Sequence, residues 1–214
     1  MKLNAEHITD AIGWRFDNSY IGLPDYFYVP LQPVPVQCPQ VVMSNHALAT
    51  SLGLNIRALS QEDAALLFSG NILPDTAQPI AQAYAGHQFG YFVPQLGDGR
   101  AINLGSVNGW HLQTKGSGLT RYSRSGDGRA VLRSSIREYL MSEAMHALGI
   151  PTTRALAIID SDTFAHRDWE EESCSIVMRM SPSWIRVGTF EFFARTKNKQ
   201  ANFNTLIYSL KILE

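Results

Sequence analysis

The sequence predicts an α+β fold: an antiparallel sheet with one packed helix, preceded by an extended strap rich in proline and aromatic residues. Three observations carry this reading. Asn108-Gly109 is a two-residue hairpin signal between Ala101-Ile-Asn-Leu104 and Trp110-His-Leu-Gln-Thr-Lys115, and both flanks read as strands. From Val131 to Leu148 the residues Leu132, Ile136, Leu140, Ala144 and Leu148 recur with a helical period, and Gly149 followed by Pro151 supplies the stop. Residues 1–45 carry Pro24, Pro30, Pro33, Pro35 and Pro39 among Trp14, Phe16, Tyr20, Tyr26, Phe27 and Tyr28. Prolines at that density exclude a long helix and leave extended chain for the aromatics to tether.

Taken in order, the strap is followed by helical periodicity over Ser44–Leu52 and Ser60–Phe68, with Ser60 and Asp63 forming a capping-box-like start and Gly53 and Gly70 marking ends. Residues 74–79 read as a loop, and Ala83–Pro94 as a glycine and aromatic stretch in which His87 is assigned no chemistry. On the strand after the hairpin, Trp110, Leu112 and Thr114 point one way and His111, Gln113 and Lys115 the other. Arg154–Ile159 and Ser173–Met180 are two further strands, with a charged loop from Asp160 to Glu172 between them. Cys174, Ile176, Met178 and Met180 share one face of the second, and Arg179 projects from the other. Ser181-Pro182 reads as a helix cap with proline at the first position, which places Arg186 shortly past a helix start. The tail from Thr196 is polar, weakly periodic and short of packing partners.

Composition narrows the class. The chain has 214 residues, 45% of them hydrophobic, and a formal net charge of −1, so it can bury a core and shows no bulk attraction to nucleic acid or to an acidic membrane. Its two cysteines, Cys38 and Cys174, form no metal-type pair and point to a reducing compartment. The opening Met1-Lys-Leu-Asn-Ala-Glu-His lacks the apolar core of a signal peptide, and no stretch reaches the roughly 18 apolar residues of a membrane span. A cytoplasmic location is the expectation.

The chemistry concentrates between Tyr84 and Pro151. Gly97-Asp98-Gly99-Arg100 is a glycine turn with an embedded cation; Lys115 ends a polar strand face; Gly116–Arg129 is a second glycine-rich basic loop; and Glu138 lies on the helix that follows. Free backbone N–H groups, fixed cations and a carboxylate to aim one of them are the ingredients of a polyphosphate site. A strand lysine paired with a glutamate of the next helix is also how the protein-kinase fold orients a nucleotide's phosphates. Arg179 and Arg186 stand ready to converge on one anion. Blander readings exist for each piece. Gly-Asp-Gly is commonly a surface turn, so Asp98 and Asp127 would bond their own backbone; Glu138 has Arg133 and Arg137 on its own helix; and Arg129, Arg133 and Arg137 together resemble an exposed basic helix face. A phosphate or redox module of another kind would need a reactive thiol, which neither cysteine's neighbours supply.

Longer motifs carry a resemblance. Ala83-Tyr-Ala-Gly-His-Gln-Phe-Gly90, Pro94-Gln-Leu-Gly-Asp-Gly-Arg-Ala101, Tyr122-Ser-Arg-Ser-Gly-Asp-Gly-Arg-Ala-Val-Leu-Arg-Ser-Ser-Ile-Arg-Glu138 and Gly149-Ile-Pro-Thr-Thr-Arg-Ala155 closely resemble the selenoprotein O family (SelO, YdiU in bacteria). The likeness runs from about Phe16 to Arg195. It implies a protein-kinase-like N-lobe that binds ATP with Mg2+ (or Mn2+), in a protein transferring AMP to Ser, Thr or Tyr hydroxyls of other proteins. The resemblance further implies a nucleotide turned around relative to that of kinases. The nucleotide contacts it implies are Gly97, Gly99, Arg100, Lys115, Asp127, Gly128, Arg179 and Arg186, with Glu138 as the ion-pair partner of Lys115.

The family's general-base aspartate and its Asn and Asp metal ligands fall in a second lobe beyond residue 214, so no catalytic or metal residue is expected within the chain. The organisation expected is therefore 1–80 as strap and helical extension, 81–195 as nucleotide-binding lobe, and 196–214 as an atypical tail with the C-lobe missing. The alternative is a catalytically inactive fragment, either a weak ATP-binding module or a decayed gene product.

Overall fold

The computed structural model describes residues 12–167, 170–196 and 199–213. The Met1–His7 opening therefore lies outside the described residues. Ten strands and five α-helices are present among them: β1 Tyr28–Pro30, β2 Gln40–Ser44, α1 His46–Ser51, α2 Gln61–Ser69, β3 Ile80–Gln82, β4 Gly86–Gln88, β5 Tyr91–Val93, β6 Ala101–Val107, β7 Trp110–Lys115, β8 Ala130–Val131, α3 Leu132–Ala147, β9 Arg154–Arg167, β10 Glu170–Ser181, α4 Val187–Arg195 and α5 Lys199–Leu213. The fold is mixed α+β, and its main sheet runs β1-β3-β6-β7-β10-β9-β2 with β8 added on β10. All the recorded pairings are antiparallel.

The hairpin forms where Asn108-Gly109 places it. Both residues adopt positive φ, 51° and 78°, which matches the twist of the flanking strands. Helix α2 is capped as its sequence requires: the Asp63 N–H donates to Ser60 Oγ at 3.1 Å, and Gly70 closes the helix at φ 79°.

The proline-rich segment is woven into the sheet. β1 pairs with β3 at one edge and β2 with β9 at the other, while Trp14 and Phe16 are buried in the main core beside Phe68, Leu104 and Met178. Pro30 falls at the end of an edge strand, where a missing N–H costs no ladder bond.

Three expectations are corrected. The charged stretch 160–172 is largely strand, because β9 and β10 stay paired well past the core, from Met180 opposite Arg154 to Glu170 opposite Arg167; residues 168 and 169 lie outside the described set. Ser181 ends β10 and its hydroxyl donates to the Ser183 carbonyl, so the following helix starts at Val187 and Arg186 is its N-cap residue. The tail folds as α5, and Ala201, Thr205 and Tyr208 form its buried face; Ala201 and Tyr208 cluster with Tyr20, Phe27 and Phe193.

Helix α3 has the expected period but is rotated away from the expected stripe, of which Leu132 still packs inward. Ile136, Leu140 and Leu148 are 38%, 55% and 73% exposed, whereas Ser135, Tyr139 and Ser142 are buried against the sheet. Tyr139 and Leu132 pack on Ala155, Ile158 and Val177. That rotation turns Glu138 toward β7.

Candidate functional site

Lys115 lies on a central strand, in register with Ala101 of β6 on one side and Val177 of β10 on the other. Its ammonium donates to Glu138 Oε2, and Arg179 Nη1 donates to Glu138 Oε1 at 2.9 Å, so one helix carboxylate holds two strand cations. Helix partners Arg133 and Arg137 do not take Glu138; Arg133 reaches Glu172 of β10 at 2.7 Å instead.

The polar face of the sheet continues this pairing as a chain of bonds. Arg179 also donates to Gln113 Oε1, Gln113 Nε2 donates to Asn103 Oδ1 at 3.2 Å, and Asn103 Nδ2 donates to Asp98 Oδ2 at 3.0 Å. Gln113 stands opposite Arg179 and Asn103 in adjacent strands, so alternation along three strands places all of them on one face. Asp98 does not serve its own turn. It is 1% exposed, accepts a second bond from the Gln82 N–H at 3.0 Å, and faces Arg186 Nη2 at 3.6 Å. Arg186 in turn lies over the Tyr84 ring at 4.3 Å, and Arg179 over Trp184 at 4.9 Å.

These contacts set the protonation of the network. Burial pushes Asp98 up from the usual aspartate range, opposed chiefly by Arg186. Burial, reinforced by Arg179, lowers Lys115, while Glu138 opposes that fall. For Glu138 burial acts upward, but Arg179 and Lys115 together outweigh it and hold the carboxyl below its ordinary value.

A cavity of about 730 Å³ opens over this network. Gly97, Gly99, Arg100, Lys115, Asp127, Gly128, Arg179 and Arg186 all line it, and Glu138 stands behind Lys115. Residues far apart in sequence are thus gathered on one concavity with an excess of cations. Tyr84, Asp98, Tyr122, Arg124 and Arg167 line it as well. Its place in a glycine turn suggested that Asp98 bonds its own backbone, whereas it takes Gln82 and Asn103; Arg167 stood in an apparent loop and drew no role.

The glycine loops owe their composition to packing. Gly97 sits at φ 56°, and a Cβ there would lie 2.2 Å from Tyr122 Cγ; at Gly128, φ 71°, it would lie 2.1 Å from the Gly118 carbonyl oxygen. Gly97→Ala combines a left-handed backbone with overpacking against a ring and is expected to cost about 2 kcal/mol or more. Denaturant unfolding of the variant checks this value.

The two cysteines are free, Cys38 exposed and Cys174 buried. Among the described residues no helix is long and apolar enough to cross a membrane.

Fold and cavity together define an α+β protein with a cation-lined pocket built over a half-buried ion-pair network. A family model described as Protein adenylyltransferase SelO matches residues 11–211, which extends past Arg195 into α5. The chain belongs to the SelO family. It is 53% identical over 193 residues to a Protein nucleotidyltransferase YdiU of Nitrosococcus oceani, covering 88% of this chain and 39% of that relative. Proteins of the same name from Syntrophotalea carbinolica and Anoxybacillus flavithermus are 50% and 49% identical, covering 91% and 92% of this chain and 40% and 42% of theirs. The chain thus spans about two-fifths of the length of the curated relatives it matches.

Proposed function

We propose that this chain is the ATP-binding part of a SelO-type protein adenylyltransferase, with residues 81–195 as a protein-kinase-like lobe; residues such as Trp14, Phe16 and Phe68 share its core, and α5 packs beside it through Ala201 and Tyr208. The single observation that carries the reading is the convergence of Lys115, Arg179, Arg186 and Arg100 on one cavity, with Glu138 bonded to Lys115 and Arg179 from the adjoining helix. The lysine ends a central strand of an antiparallel run and its partner sits on α3, the next helix in the chain, as in the kinase arrangement for orienting phosphates.

In the transfer proposed, a Ser, Thr or Tyr hydroxyl of a protein substrate attacks the α-phosphate. The new O–P bond forms as the bond from the α-phosphorus to the bridging oxygen breaks, pyrophosphate leaves with that oxygen, and the hydroxyl proton passes to a general base. This chain's contribution is to bind and orient. Its ammonium and guanidinium groups neutralise the phosphates, and their existing bonds to Glu138, Gln113 and Asp98 limit the reorganisation needed when charge builds. A divalent cation is implied by the family, but the described residues do not form its site: the cavity carboxylates Asp98 and Asp127 both face arginines, and no cluster of three His, Cys, Asp or Glu suited to a metal occurs among them.

A nucleotide-binding module without transfer would rest on the same cavity. Thermal unfolding with and without Mg-ATP tests the shared premise. At 100 times Kd the ligand adds about 2.7 kcal/mol, which raises the transition of a chain this size by roughly 5–11 °C. An unshifted transition contradicts both readings.

A further inference from the structure

The rim of the cavity carries an ion pair that neither the motifs nor the relatives' names assign. Arg167, at the far end of β9, donates from Nη1 to Asp127 Oδ2 at 2.7 Å and from Nη2 to Asp127 Oδ1 at 2.9 Å. The same guanidinium reaches the Arg129 carbonyl at 3.3 Å and its own neighbour's carbonyl, that of His166, at 2.7 Å. Asp127 also accepts the Arg129 N–H at 2.9 Å. One planar fork therefore grips the corner where the glycine loop turns into β8.

Building on the nucleotide reading above, we infer that Arg167 is a positioning residue that holds the Asp127–Arg129 corner of the glycine loop against the nucleotide and cancels the Asp127 charge there. Two features support this. An unpaired carboxylate on the wall of a phosphate pocket would repel its ligand, and here that carboxylate is saturated by the bidentate arginine. Burial acts upward on Asp127, yet the Arg167 and Arg129 bonds hold it below the usual aspartate range, so it is ionised and dependent on its partner. The β9–β10 hairpin also carries Arg179 on its second strand. One element thus supplies a cation to the cavity floor and a clamp to its rim. The pair is a poor candidate for a purely stabilising contact, because side chains 29% and 40% exposed contribute little to folding.

The test uses the whole 214-residue chain with Mg-ATP as probe, in calorimetric titrations of Arg167→Ala, Arg167→Lys, Asp127→Ala and the Arg167→Ala/Asp127→Ala double variant. Amide hydrogen exchange over residues 117–129 is followed in parallel. Arg167→Ala is expected to weaken Mg-ATP at least tenfold and to speed exchange in the loop, while melting within about 3 °C of the unaltered chain. Arg167→Lys restores charge but not the fork and recovers only part of the affinity. The double variant binds no more weakly than the worse single, the signature of two residues acting as one unit. Unaltered affinity in Arg167→Ala, or losses that add in the double variant, overturns this inference alone. An unaltered chain that takes up no Mg-ATP overturns the nucleotide reading and this inference with it.

Discussion

Lys115→Ala is expected to weaken Mg-ATP binding at least 30-fold, equivalent to about 2 kcal/mol, and to abolish adenylyl labelling of substrate proteins by a full-length relative carrying the same change. The argument is electrostatic. Lys115 is a partly desolvated cation on a central strand, its ammonium fixed by Glu138 and facing the cavity that Arg179 and Arg186 share. Removing it takes away a preoriented charge that no neighbour replaces, since Arg100 on the adjacent strand end leans on the Arg129 carbonyl at 3.4 Å. The fold loses less, because Glu138 keeps Arg179 at 2.9 Å. Calorimetric titration and unfolding of the same variant read the two effects separately, and retained affinity removes Lys115 from the phosphate site.

Glu138→Ala is expected to do the reverse in proportion, costing more in stability than Lys115→Ala does. It strands two cations, and breaking a buried pair by removing one partner costs 3–5 kcal/mol. All three groups keep some exposure, with side chains 23%, 24% and 14% accessible for Lys115, Glu138 and Arg179, so the lower end applies. About 3 kcal/mol corresponds to roughly 6–12 °C in a chain this size. Glu138→Gln, which keeps an acceptor but not the charge, falls between. A Glu138→Ala protein melting within 2 °C of the original contradicts the assignment of Glu138 as the shared anchor.

What the sequence made legible follows from where its information is local. Asn108-Gly109 dictates its own turn, and Ser60 with Asp63 caps α2, because each depends on residues a few positions away. The period of α3 was legible for the same reason, but its orientation was not. Ile136 and Leu140 look like a core stripe, yet the sheet takes Ser135, Tyr139 and Ser142, small or polar residues that let the helix approach and bring Glu138 to Lys115. The β4–β5 hairpin escaped notice because its turn, Phe89-Gly90, puts a phenylalanine at φ 52°, a conformation that composition does not announce. Asp98 was masked by the glycines beside it, although its partners Gln82 and Asn103 lie on neighbouring strands. Arg186 was expected inside a helix and proves to be its N-cap residue, which leaves its guanidinium over Tyr84 and toward the cavity. The eight cavity positions named from motif resemblance are gathered on one cavity, a grouping that no local pattern encodes.

The most direct measurement is a crystal structure of this chain soaked with a non-hydrolysable ATP analogue and Mg2+. Phosphate oxygens are expected within hydrogen-bonding distance of Lys115, Arg179 and Arg186, with Glu138 still bonded to the lysine. Density for the analogue elsewhere on the surface, with those three cations bonded only to Glu138, Gln113 and Asp98 as in the free chain, would contradict it.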